Sequence, residues 1–326
     1  MVKKKIAGLQ SVVLVLGMVI AAYAAAAVDE EPGKGPPRDI VLKDDAKCTR
    51  CHAEGEEYPV LMIGRTKHGT VADSRTPTCT SCHGDSEAHQ VKREGEKRPK
   101  PDRMFTQNST TPIAVRNQAC LTCHQGGKRI LWKGSVHQDR ELACTTCHQI
   151  HTDHDKVRGR LTQPEVCFTC HKEQRVQIIR PYRHPILEGK VICSDCHNPH
   201  GSGTPAMLVR NSINETCYTC HMEKRGPFVR IHPPVMENCA LCHNPHGTTY
   251  PSLLKVRLPY LCQECHEPTS HRGNIPAVGT ATPPIGLDNT QRNPALIMAR
   301  GCENCHTNIH GSNNPQATSG TRSFRR

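Results

Sequence analysis

HPILEGKVICSDCHNPHGSGTPAMLVRNSINETCYTCH, residues 184–221, sets four histidines and four cysteines in a fixed order. A free histidine, His184, comes first and the motif Cys193-x-x-Cys196-His197 follows. A second free histidine, His200, stands three residues on, and Cys217-x-x-Cys220-His221 closes the unit. The order returns at His137, Cys144–His148, His151 and Cys167–His171, and again at His232, Cys239–His243, His246 and Cys262–His266. Leading histidines are 47 to 48 residues apart. A looser copy, His68, Cys79–His83, His89 and Cys120–His124, is stretched by the insertion Lys92–Arg103. One motif from Cys48 precedes the copies, and His271, a motif from Cys302 and His310 follow them. Internal repetition of this kind implies a linear array rather than one globule.

Every cysteine belongs to a Cys-x-x-Cys-His motif. They are CTRCH (Cys48, Cys51, His52), CTSCH (Cys79, Cys82, His83), CLTCH (Cys120, Cys123, His124), CTTCH (Cys144, Cys147, His148) and CFTCH (Cys167, Cys170, His171). Then come CSDCH (Cys193, Cys196, His197), CYTCH (Cys217, Cys220, His221), CALCH (Cys239, Cys242, His243), CQECH (Cys262, Cys265, His266) and CENCH (Cys302, Cys305, His306). Ten motifs use all 20 cysteines. CxxCH is the attachment motif of c-type haem: two thiols bond the porphyrin vinyls and the histidine is placed under the iron. Structural disulfides would not require a histidine after every second cysteine. Zinc ribbons would leave ten histidines unexplained, and a thioredoxin-type CxxC would occur once, after a strand.

Ten irons with a proximal histidine each need a sixth ligand. Eleven histidines lie outside the motifs: His68, His89, His137, His151, His154, His184, His200, His232, His246, His271 and His310. That is one more than bis-histidine ligation throughout demands. The repeat gives His151 the ligand position and leaves His154 spare, although CHQIHTDH lets either reach a metal. Methionine ligands would raise the potential, but Met62, Met104, Met207, Met222, Met236 and Met298 hold no repeated relation to the motifs and read as packing residues. With every site saturable by histidine, electron transfer is expected and substrate turnover is not.

Composition agrees. The chain has 326 residues, which allows one or two domains, but only four Phe, six Tyr and one Trp. Mean hydropathy is −0.57. A globule this long buries about three-quarters of its unfolded surface, and these side chains cannot supply that. Porphyrins packed on one another would, with sparse short helices and loops wrapped round an extended array of ten haems. Lys3–Lys5, the apolar run Ile6–Ala22 and the alanines to Ala27 read as a signal peptide over 1–27, cleaved between about 24 and 27. Its loss leaves 39 Lys and Arg against 30 Asp and Glu, a balance of +9. Twenty ionised propionates would turn that to −11, with arginines and lysines among their partners. Export and the lack of aromatics among the basic residues argue against nucleic acid.

The chain resembles the MtrA/DmsE-type decahaem cytochromes, whose relatives include PioA and MtoA. The resemblance runs from CTRCH at Cys48 to CENCHTNIHGSNNP ending at Pro315. It rests on ten motifs, on CHNPHG repeated at His197 and His243, on CQECHEPTSHRG from Cys262 and on the closing CENCH with IHG. It implies a periplasmic haem wire, bis-histidine throughout, threaded through an outer-membrane β-barrel porin for metal reduction or Fe(II) oxidation. Its partners would be a periplasmic or inner-membrane cytochrome donor and an extracellular multihaem cytochrome or other external redox partner. Because a polar chain cannot cross lipid unsheathed, the porin reading is physically consistent. The alternative is a soluble periplasmic shuttle, or a donor to a terminal reductase such as an extracellular DMSO reductase. The family's two pentahaem halves map to 28–175 (haems 1–5) and 176–311 (haems 6–10), with a disordered tail at 312–326, although the motif spacing favours a two-haem repeat.

Overall fold

A computed structural model describes residues 45–52, 59–69, 75–91, 94–266, 302–304 and 306–314. The leader, His271, Cys305 and the tail beyond Asn314 lie outside the described residues. Contacts group the chain into two units. One comprises residues up to Thr76 together with His151–Asp153, and the other comprises Pro77–Ile150 with everything from His154 on.

Short helices and loops make up the described residues, which contain no sheet, only four isolated antiparallel bridges. The longest described helix, Ile113–Leu121, has nine residues. No described helix is long and apolar enough to cross a membrane. Each of the ten motifs begins on one helical turn. In nine of them the histidine N–H bonds the carbonyl of the first cysteine at 2.8–3.1 Å, as in His148 to Cys144 and His266 to Cys262. The remaining motif lies wholly within the helix Cys79–His83. Spacings of three and four residues share one helical face, so this turn brings both thiols and the imidazole together.

Local sequence starts these turns. Thr78 caps Cys79–His83, accepting from Ser81 N–H at 3.2 Å while the Ser81 hydroxyl accepts from Thr78 N–H at 3.1 Å. Ser212 caps Ile213–Tyr218, accepting from Glu215 N–H at 3.0 Å, and Ser135 caps the turn that carries His137. Caps of this type stabilise a helix by about 1 kcal/mol each, which matters when a helix has one turn.

The apolar core is small. Phe168, Ile178 and Ile186 cluster with Val191 against them, while Trp132, Ala143, Ile192 and Leu254 are buried elsewhere. Large apolar side chains that stay open are more numerous, among them Ile130, Leu161, Ile179, Val229 and Met236. The scarcity of core anticipated from composition is therefore present, and much apolar surface is left for another group to cover.

Candidate metal centres

Among the described residues of the second unit, six motif histidines face a histidine from outside the motifs. Ring centroids are 6.3 Å apart for His171 and His137, 6.1 Å for His148 and His200, and 6.2 Å for His221 and His184. They are 6.1 Å apart for His197 and His246, 5.9 Å for His266 and His232, and 6.0 Å for His243 and His310. Two imidazoles sharing one metal through Nε2, at about 2 Å per bond, place their centroids about 6 Å apart. The residues fit a metal between each pair.

In eight described histidines Nδ1 is held. Nδ1 of His83 bonds the Arg103 carbonyl at 2.9 Å, His89 that of Pro99 at 2.7 Å and His137 that of Pro199 at 2.7 Å. His151 reaches the Val60 carbonyl at 2.7 Å and His184 that of Pro245 at 2.7 Å. His197 reaches Ala206 at 2.7 Å and His243 reaches Ser252 at 2.8 Å. His148 bonds a carboxylate instead, Asp155 Oδ2, at 2.7 Å. A ring that donates through Nδ1 presents the Nε2 lone pair, and such a bond fixes the orientation and raises the basicity of a metal-binding histidine.

The pairing interlocks the repeats. His137, His184 and His232 each face the second motif of their own repeat, whereas His200 and His246 face the first motif of the repeat before. One loop design does this twice. In Cys196–Leu208 and Cys242–Leu254 the motif histidine pairs with a leucine across an isolated bridge, and Asn198 and Asn244 N–H bond the Met207 and Leu253 carbonyls at 2.7 and 2.8 Å. The same loops carry His200 and His246. The residue before each, Pro199 or Pro245, is the carbonyl that holds His137 or His184.

Neighbouring motifs touch in alternation. The first-cysteine thiols lie side by side in Cys120–Cys144, Cys167–Cys193, Cys217–Cys239 and Cys262–Cys302. Their mutual hydrogen bonds push the earlier thiol up and draw the later one down, to about 7 for Cys239 and Cys302. Between these contacts the second cysteines are electrostatic neighbours: Cys147 of Cys170, Cys196 of Cys220 and Cys242 of Cys265. From the third motif to the tenth, spatial order follows chain order.

Buried amides clamp one motif to the next. Asn117 donates to the Leu142 carbonyl at 2.9 Å and accepts from Cys144 N–H at 2.8 Å. Asn214 donates to Val235 and Met236 and accepts from Cys239 N–H at 2.7 Å. Gln163 accepts from Ser194 N–H at 3.0 Å. The motif count did not reveal these three residues, although Asn three residues before Cys120 and before Cys217 was a visible signal.

Burial lowers the proton affinity of four non-motif rings. His200 falls to about 4, through burial first and then the neighbouring His148 and Arg129. His232, His246 and His310 fall for the same leading reason. Buried polar atoms without a partner include Nε of Arg116, Arg129, Arg183 and Arg230, donors suited to a carboxylate.

Comparison with known proteins gives the same account. Models of a doubled CXXCH motif match residues 184–226 and 232–271, each beginning at a leading histidine of the repeat. A model of cytochrome c-type proteins like NrfB matches 79–162. The multihaem cytochrome MtrA of Shewanella baltica is 40% identical over 272 residues, covering 82% of this chain and 78% of that protein. The cytochrome c-type protein NrfB of Haemophilus influenzae is 33% identical over 119 residues, covering 33% of this chain and 52% of that protein.

Proposed function

The chain belongs to the MtrA- and NrfB-like family of multihaem c-type cytochromes, and we propose that it is a serial electron relay of ten covalently held, bis-histidine haems. It is an electron-transfer protein and not an enzyme. The observation that carries the relay is the unbroken succession of motif contacts from the third to the tenth. Bound haem supplies a reversible one-electron couple at each centre. The protein's part is to hold and insulate. The 20 cysteines would anchor the groups and the ten motif histidines would supply one ligand to each. His137, His184, His200, His232, His246 and His310 would supply a second ligand to the groups they face. His89, the second free histidine of the looser copy, has its Nδ1 held by the Pro99 carbonyl and takes the same role. His68, His151 and His271 complete the set, His151 holding the ligand position of the repeat and its Nδ1 bonding the Val60 carbonyl. Open apolar side chains such as Ile130 and Ile179 would cover porphyrin, and the unpartnered arginine Nε groups are donors suited to propionates.

Relays of this kind work in two settings. In the periplasm the chain passes electrons between a cytochrome donor and a terminal reductase, a reading supported by the NrfB-like match. Sheathed by an outer-membrane porin it connects the periplasm to an external redox partner, supported by 40% identity to an MtrA protein across most of both chains. Liposomes enclosing a reduced dye, with insoluble iron oxide outside, separate them. Dye oxidation only when holoprotein and porin are both present establishes the conduit. Electron exchange with dissolved partners alone, and none across the bilayer, leaves the periplasmic relay. If neither occurs, the relay itself is refuted.

A further inference from the structure

Seven of the eight described Nδ1 bonds end on neutral backbone carbonyls, and the eighth ends on a charge. Asp155 Oδ2 receives His148 Nδ1–H at 2.7 Å, and its Oδ1 receives Gln149 N–H at 3.2 Å, so both oxygens are fixed. The carboxylate is 16% exposed and the imidazole 33%, which limits solvent screening. Glu223 also approaches a motif ring, His221, but at 3.7 Å with both side chains more than half exposed, too far for a hydrogen bond. The loop sequence explains the difference. After His197 and His243 the chain runs CHNPHG and supplies a carbonyl nine residues on, from Ala206 or Ser252. After His148 it runs CHQIHTDHD, and the side chain seven residues on takes that place.

The ring opposite has no such support. His200 is buried beside Trp132, at 6.4 Å between centroids, and its Nδ1 has no partner. Trp132 Nε1 has none either. The fourth centre thus pairs one imidazole held by a carboxylate with one whose Nδ1 is unpartnered.

We propose that Asp155 is a potential-setting residue for the His148–His200 centre, holding it below the centres whose rings lean on carbonyls. The inference rests on the haem reading above. An anion accepting from Nδ1–H gives the ring imidazolate character, raises its basicity as a ligand and favours the ferric over the ferrous state. A carbonyl does this less, having no net charge.

The test is potentiometric titration of holoprotein followed by optical and EPR spectra, with haem counted by pyridine haemochrome. In Asp155→Asn one haem of ten moves to higher potential with an altered low-spin EPR signal, the other nine stay, and Asp155→Glu restores both. Superposition of Asp155→Asn on wild type refutes the proposal, as does an equal shift of all components. If Asp155→Asn loses haem, wild type decides: its lowest-potential component must carry the EPR values of an imidazolate-like ligand, and neutral bis-imidazole values there overturn the idea. A wild-type count short of ten, or spectra that are not bis-imidazole, refutes the underlying haem reading instead.

Discussion

Gly247→Ala adds one methyl group and should damage two metal centres. Gly247 sits at φ +146° in the loop Asn244–Thr248, where its Cβ would collide with the Gln177 carbonyl oxygen and lie 3.1 Å from the carbonyl carbon and 3.3 Å from Arg183 Cβ. Neither side yields easily. Gln177 ends the helix Lys172–Gln177, and its carbonyl already receives Arg180 N–H at 3.1 Å. The loop is tied down next door, where Thr248 and Tyr182 exchange backbone bonds of 2.8 and 3.2 Å. Restoring ordinary contact needs a displacement on the order of 1 Å, whereas a metal–nitrogen bond tolerates about 0.2 Å. That loop carries His246, which faces His197, and the Pro245 carbonyl that holds His184. Strain at this φ together with overpacking costs about 2–5 kcal/mol, or roughly 4–10 °C in Tm for a chain of this size. Purified Gly247→Ala holoprotein should keep all its thioethers while one or two haems turn high-spin in optical and EPR spectra. Gly203→Ala is the control, since nothing lies within 4 Å of its Cβ, and should match wild type. Ten low-spin haems and an unchanged Tm in Gly247→Ala would refute the reasoning.

His246→Ala should leave the haem on Cys193 and Cys196 attached but five-coordinate, read as one high-spin signal in the EPR spectrum, with gain of carbon monoxide binding at that haem. Asn214→Ala orphans Cys239 N–H together with the Val235 and Met236 carbonyls. It should lower stability by about 1–3 kcal/mol in denaturant titration, and a midpoint equal to wild type would count against the clamp.

Much of the site was legible because it is written in residue types: 20 cysteines and 21 histidines admit few other accounts. Helical turns on the motifs follow from the three- and four-residue spacing, and the sparse core from the lack of aromatics. Partner choice was not legible. His148 could have met His137, His151 or His154 by proximity in the chain, yet it faces His200, because the CHNPHG loop folds back on backbone bonds that no spacing rule contains. Asn117, Gln163 and Asn214 escaped for a related reason: an amide clamp is chemically ordinary, and only burial and two-sided bonding mark it. The role of Asp155 needed the seven carbonyl-held rings beside it before a charge there stood out.

The backward reach of His200 and His246 makes the array resemble brickwork, each course overlapping the joint below. A chain emerging N-terminus first would have the Cys144–His148 motif long before the histidine that completes it, so the fourth, sixth and eighth centres wait for later sequence while the fifth, seventh and ninth are closed by sequence already out. Brickwork also lengthens without redesign. Duplicating a unit such as 184–231 in frame would add two centres and repeat every loop contact, since each copy completes the one before. Cutting the chain between units has the opposite effect, leaving an open iron at the new end. Length in such a molecule is therefore easy to gain by duplication, and every course needs a terminal segment to finish it, the part His310 plays for His243.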